Sequence, residues 1–156
     1  MDTASLSMLI EMARTARDAA SARCAQERMQ VEQARKQLEL LRGYAREYDR
    51  RSMATLSQGV DLAAQNNLRA FVAKLTRAVE IQQLEVKNRE AALAAADDEL
   101  TQMRTRLSSL EKLAERHEQS EERKARRREQ NTLDEMANRS RRNTGFGSNQ
   151  LVTSDW

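Results

Sequence analysis

Few residues in this chain have the chemistry for catalysis. There is one histidine, His117, and one cysteine, Cys24. An imidazole can shuttle protons near neutral pH, yet His117 has no serine or cysteine partner at a useful spacing. It reads better as a seam or surface histidine. Cys24 would be a reactive thiol only with a lowered pKa. At a small position in an apolar stripe it reads as a buried small hydrophobe. A single cysteine allows no intrachain disulfide, which suits a reducing compartment. Asp97, Asp98 and Glu99 are contiguous acids. A metal ion needs ligands converging from several directions, and neighbours on one helix diverge, so these acids read as a solvated face. No glycine-rich phosphate loop occurs. The sequence therefore predicts no catalytic residue, no metal and no cofactor.

Charge offers a different chemistry. Arg123, Lys124, Arg126, Arg127 and Arg128 place five cations in six residues, with Glu121, Glu122 and Glu129 beside them. One reading is a solvated, internally balanced helix surface. The other is a contact for an acidic partner, nucleic acid or lipid head groups. The run by itself leaves the two open. Over the whole chain 27 cations sit among 24 acids, a net charge of +3. Interspersed signs of this kind mark solvated helices laced with i,i+4 pairs. A dedicated nucleic-acid binder would show a denser basic face.

The elements that must position these residues are helices. Of the 156 residues, 33% are charged and only 3% aromatic, and there is no proline. Aromatic side chains bury the most area each, so an ordinary globular core is excluded, and an Ala/Glu/Lys/Leu/Arg-rich chain points to long helices and coiled coils. A first helix is expected from near Ser5, capped by Thr3, Ser5 or Ser7. Its apolar seam runs Leu6, Leu9, Ala13, Ala16, Ala20, Cys24. After an irregular patch at Glu27 and Arg28 it resumes as Val31, Ala34, Leu38, Leu41, Ala45, Tyr48. Two successive four-residue steps, Ala16 to Ala20 to Cys24, mark a slip in the heptad. Ser57–Asp61 and Asn66–Asn67 carry turn residues, so a hairpin tip is expected at 57–66. The second helix has the cleaner seam, stepping by four and three from Leu68 to Ala114 with only Gln82 and Arg89 polar. Such a run is a coiled-coil stripe, and a buried polar residue in it commonly fixes register.

The expected fold is all-α: two long helices in an antiparallel coiled-coil hairpin over 5–142, with a flexible tail over 143–156. A turn near residue 61 sets Tyr48 opposite Leu75, Tyr44 opposite Ala78 and Leu41 near Gln82. The second helix then overhangs the first by about twenty residues, and the basic run lies in that overhang. Tyr44, Tyr48 and Phe71 gather near the tip. Tyr44 and Phe71 fall off the seam register, so they are expected to be partly exposed as binding anchors. No segment reaches the roughly 20 apolar residues of a membrane span. The N-terminus lacks the basic region of a secretory signal, and a cytoplasmic protein is expected.

Three stretches carry a family resemblance: Gln37–Tyr48 with its two tyrosines four apart, Asn67–Gln82 through Phe71, Leu75 and Ala78, and Glu111–Arg116 followed by Glu129–Gln130 and Leu133–Arg139. In these the chain resembles FliJ, the small coiled-coil component of the bacterial flagellar type III export apparatus, over nearly its whole length. The resemblance implies a stalk-like coupling protein. One end enters the pore of the export ATPase ring (FliI), and a patch on the rod contacts the export gate protein (FlhA). It also implies an escort role for export chaperones, and peripheral association with the membrane at the flagellar base through partners. The gate patch maps to Gln37, Leu41, Tyr44, Tyr48, Phe71, Leu75, Ala78 and Gln82. The family pattern has histidine where this chain has Gln82, which removes protonation from that position. The ring contact falls on the basic overhang, Arg123, Lys124 and Arg126 to Arg128. No enzyme activity and no nucleic-acid partner are implied. The alternatives are the stalk of a virulence injectisome, which shares the plan, and a basic coiled coil binding nucleic acid or anionic membrane.

Overall fold

A computed structural model describes residues 3–59 and 61–144. The described residues form two helices, α1 (Thr3–Ser57) and α2 (Leu62–Thr144). They pack antiparallel on one another, and among the described residues no third element covers them. The reversal is tighter than the expected 57–66. The amide of Gln58 donates to the carbonyl of Thr55 (3.2 Å), and Gly59 turns the chain with φ of 72°. An αL glycine just past the last turn is a common way to end a helix. Asp61 then caps α2, accepting from the Ala63 amide at 3.4 Å through its carboxylate. Asn66 and Asn67, expected to break the chain, lie inside α2. An asparagine pair is only modestly unfavourable in a helix, and the seam that begins at Leu68 holds that turn in place. Helix also continues through residues 143 and 144, where the tail was expected to begin; the rest of that stretch, 145–156, lies outside the described residues.

The core is one seam. On α1 the buried residues are Leu6, Ala13, Ala20, Cys24, Val31, Ala34 and Leu38, and on α2 they are Leu75, Val86, Ala96, Leu100 and Leu107. The α1 set spaces by seven from Leu6 to Ala20, by four to Cys24 and by seven to Val31. The slip is therefore real: an eleven-residue step in α1 faces an unbroken heptad in α2. The mismatch falls where side chains are small. Ala20 and Cys24 pack on Ala96 and Leu100, with Leu93 and Met103 at the edge. Just beyond, Glu27 has a buried carboxylate oxygen with no hydrogen-bond partner.

Register is also held by polar groups. The Gln82 amide donates across the seam to the Ala34 carbonyl (3.1 Å) and to Gln37 Oε1 (3.3 Å). Arg89 bonds Gln30 on α1 and Glu85 on its own helix. Four ion pairs cross between the helices, with every cation from α1: Arg14–Glu111 (3.4 Å), Arg23–Glu99 (2.7 Å), Arg28–Asp97 (3.9 Å) and Arg35–Glu90 (2.6 Å). Each is exposed and contributes well under about 1 kcal/mol, but four pairs of one polarity disfavour a shifted pairing.

Two glycines, one inside α1 and one in the turn, separate local from steric demands. Gly43 sits inside α1 with open space where a Cβ would stand, whereas Gly59 is held at positive φ. Gly43→Ala should stabilise the hairpin by about 1 kcal/mol. Gly59→Ala should destabilise it by about 1–2 kcal/mol. Urea melts followed by circular dichroism measure both, and equal signs would contradict this account of the turn.

Candidate partner-binding site

Two surfaces stand out, one beside the turn and one beyond the end of α1. At the turn, the Tyr48 and Phe71 rings meet with centroids 4.7 Å apart at 57°. The Arg51 guanidinium lies over the Tyr48 ring at 5.5 Å. Tyr44 is 58% exposed and Phe71 45%. Leu41, Ala78 and Gln82 are half-buried, and Gln37 is exposed but tied to Gln82. The predicted patch is thus brought together along one stretch of rod, with two cross-helix contacts bracketing it. Leu75 differs: at 8% exposure it belongs to the seam and offers almost no surface.

Heptad geometry shows why this strip is distinctive. Glu90, Asp97 and Glu111 recur at multiples of seven and share one flank of the α2 seam, where they take Arg35, Arg28 and Arg14. Phe71 and Ala78 occupy the opposite flank. Near the turn that opposite flank has Gln37, Tyr44, Phe71 and Ala78, uncharged themselves, and ends at Arg51, one heptad beyond Tyr44 and over the Tyr48 ring. An aromatic strip poor in charge, with an arginine at its end, on an otherwise charged rod has the composition of a protein-binding surface. Leu40, Ile81 and Leu84 are also strongly exposed. They sit on the outer faces of the helices, and a reading that follows only the seam passes over them.

At the other end, Leu6 and Ile10 share a groove with Ala114 and His117. Beyond His117 every α2 residue through Arg142 is exposed, so about 40 Å of helix runs without a companion. This overhang is longer than the expected twenty residues. Where it leaves the hairpin, basic and acidic side chains lie largely on different faces. A groove of about 320 Å³ is lined by Arg116, Gln119, Ser120, Arg123, Lys124 and Arg127, with no acid among them. On another face Glu118 and Glu122, one turn apart, continue a row that begins at Glu111 and Glu115 in the paired part. Lys124 pairs with Glu121 (2.8 Å) and Arg126 with Glu122 (3.8 Å). Arg123, Arg127 and Arg128 have no ion pair among the described residues. The hydrogen bond from Lys124, and then its charge, hold the Glu121 carboxyl below its ordinary value.

Neither lone reactive group builds a site. The Cys24 thiol donates to Asp97 Oδ1 at 2.7 Å. That bond, together with burial, raises its pKa above the ordinary thiol value, the reverse of what a nucleophile needs. Among the described residues no acid, histidine or cysteine cluster could hold a metal ion, and no helix is long and apolar enough to cross a membrane.

A family model described as "Flagellar FliJ protein" matches residues 1–145. The chain belongs to the FliJ family. It is accordingly a component of the flagellar type III export machinery, in a family of non-enzymatic export components. No curated protein and no solved structure matches the chain in the corresponding comparisons. In this FliJ-family chain the Gln82 amide is engaged in holding the two helices in register.

Exposure separates patch from seam by experiment. Leu75→Ala should cost about 2–4 kcal/mol, as expected for a buried leucine. Phe71→Ala should cost about 1 kcal/mol, mostly the lost ring pair. Chemical denaturation of the two variants tests the contrast, and a larger loss for Phe71→Ala would move that ring into the core.

Proposed function

We propose that this chain is the stalk-like coupling protein between the export ATPase ring, FliI, and the export gate protein, FlhA, and that it escorts export chaperones. The observation that carries this reading is the chemical difference between the two ends of one rod. An aromatic strip poor in charge lies beside the turn, and a strongly charged single helix projects from the opposite end. About 65 Å of helix separates Leu75 from Glu118. In this reading Tyr44, Tyr48 and Phe71 anchor the gate, with Gln37, Leu41, Ala78 and Gln82 around them and Leu75 supporting from below. Arg123, Lys124, Arg126, Arg127 and Arg128 face the ring. ATP chemistry belongs to the ring, and this chain transmits force or allosteric state through the seam. It works at the cytoplasmic face of the inner membrane at the flagellar base, held there by its partners.

The gate contact is tested with Tyr48→Ala and Phe71→Ala combined. Binding to the purified cytoplasmic part of the gate should weaken by at least about tenfold, and motility should fall, while helicity at room temperature is retained. Unchanged binding by a folded double variant would remove the aromatic strip from the gate contact.

The ring contact is tested by a chain ending at His117. It keeps the seam, so it should still melt cooperatively, but stimulation of the export ATPase should be lost. Full stimulation by this shortened chain would exclude the overhang from the ring.

A further inference from the structure

The buried side chains of the hairpin fall into two groups with a polar layer between them. Toward the open end Ala20, Cys24, Ala96 and Leu100 pack together, with Leu93 and Met103 at the edge. Toward the turn Ala34, Leu38 and Val86 pack together, with Val79 beside them. Between Cys24 and Val31 the seam side of α1 carries Glu27, whose buried carboxylate oxygen has no hydrogen-bond partner. The facing part of α2 carries Arg89, which bonds Gln30. Val31 is buried there, yet with Leu93 of α2 it borders an open groove of about 730 Å³.

A polar layer is a weak link in such a rod. Each turn of a two-helix seam touches only the turns next to it, so stability passes along it from neighbour to neighbour. A buried carboxylate oxygen without a partner costs free energy, and the groove beside Val31 forgoes packing contact. Separation at this layer therefore gives up less than separation within either group. The two sides also differ in what retains them. The turn-side part is closed by a short connection and by the Tyr48–Phe71 ring pair. The open-end part has only Leu6, Ala13, Ala20 and Cys24 as its buried residues from α1. The ion pairs that cross there, Arg14–Glu111, Arg23–Glu99 and Arg28–Asp97, are exposed and add little.

We infer that the hairpin is built of two cooperative units that meet at the layer holding Glu27 and Arg89, and that the open-end unit, residues 3–26 with 93–117, separates as a whole while the turn-side unit stays paired. Separation lengthens the companionless part of α2 by about 36 Å and uncovers Cys24. It leaves the aromatic strip beside the turn in place. Such partial opening is a free-energy level of its own, below global unfolding. The inference rests on the packing of the seam and not on the coupling role.

Thiol labelling at buried positions tests the inference. Cys24 is the natural probe, and Ala13→Cys, Ala20→Cys and Ala34→Cys, each in a Cys24→Ala background, are the others. All of these positions are buried, so a small disulfide reagent reaches them only after opening. Each rate is measured at low urea and divided by the rate of the same chain unfolded. Positions 13, 20 and 24 should share one rate and one urea dependence, whereas Ala34→Cys should react at least about tenfold more slowly with a steeper dependence. A smooth decline from 13 to 34 would mean ordinary fraying and would overturn the inference, as would one rate for every position. Glu27→Leu, which removes the buried charge from the layer, should slow the labelling of Cys24 by at least about fivefold; an unchanged rate would remove the joint from this layer. Amide hydrogen exchange of the unaltered chain, read by mass spectrometry, needs no variant. Residues 6–24 and 93–114 should exchange together and ahead of 31–56 and 68–89, and uniform exchange across all of these stretches would sink the inference.

Discussion

The structure depends on one seam between two helices. Among the described residues there is no second layer to share the burial, and no large aromatic core residue to anchor it. The buried positions are mostly alanine, valine and leucine with one cysteine. Such a seam is held by close, regular approach over a long distance more than by any single large side chain. This explains how an eleven-residue step in α1 can face a heptad in α2. The two patterns come into conflict where Ala20, Cys24 and Ala96 meet, and small side chains tolerate the local change of phase. Bulky residues there would have to overlap or leave a void, either of which costs stability.

A thin seam leaves most of each helix in water, and that determines where specificity comes from. Gln82 and Arg89 place polar groups in the seam, and both reach α1. Their contribution is to make one register better than its neighbours, since a slip would strand an amide and a guanidinium against apolar side chains. The cross-helix ion pairs act in the same direction. Because α1 supplies the cations and α2 the acids, charge on one flank is spent within the hairpin. The opposite flank near the turn carries the aromatic residues, with Arg51 over the Tyr48 ring at its end. The surface proposed for the gate is thus a by-product of how the helices neutralise one another.

Function in this FliJ-family chain is distributed by position along the rod and not gathered in a pocket. The aromatic strip lies beside the turn, the strongly charged overhang lies beyond the end of α1, and the seam connects them. A helix without a companion is stabilised only by its own backbone and its i,i+3 and i,i+4 pairs, such as Lys124–Glu121 and Arg126–Glu122. These contribute a few tenths of a kcal/mol each. The overhang is therefore the part of the described chain with least tertiary support, and a partner that packs on it supplies what α1 supplies elsewhere.

Much of this was legible in the residues themselves. Periodicity gave two helices, the direction of their faces, the slip near Cys24 and the exposure of Tyr44 and Phe71, because side-chain direction in a helix follows directly from sequence spacing. The absence of proline and the scarcity of aromatics ruled out the main competitors. Other features depended on which groups meet across the seam. Helix resumes already at Leu62, since the packing that starts at Leu68 outweighs the weak helix preference of Asn66 and Asn67. Leu75 went to the core, and Asp97, read as a solvated acid, took the Cys24 thiol. Local sequence states what each helix can present. Only the pairing of the two decides which presented groups are consumed by the hairpin and which remain for a partner.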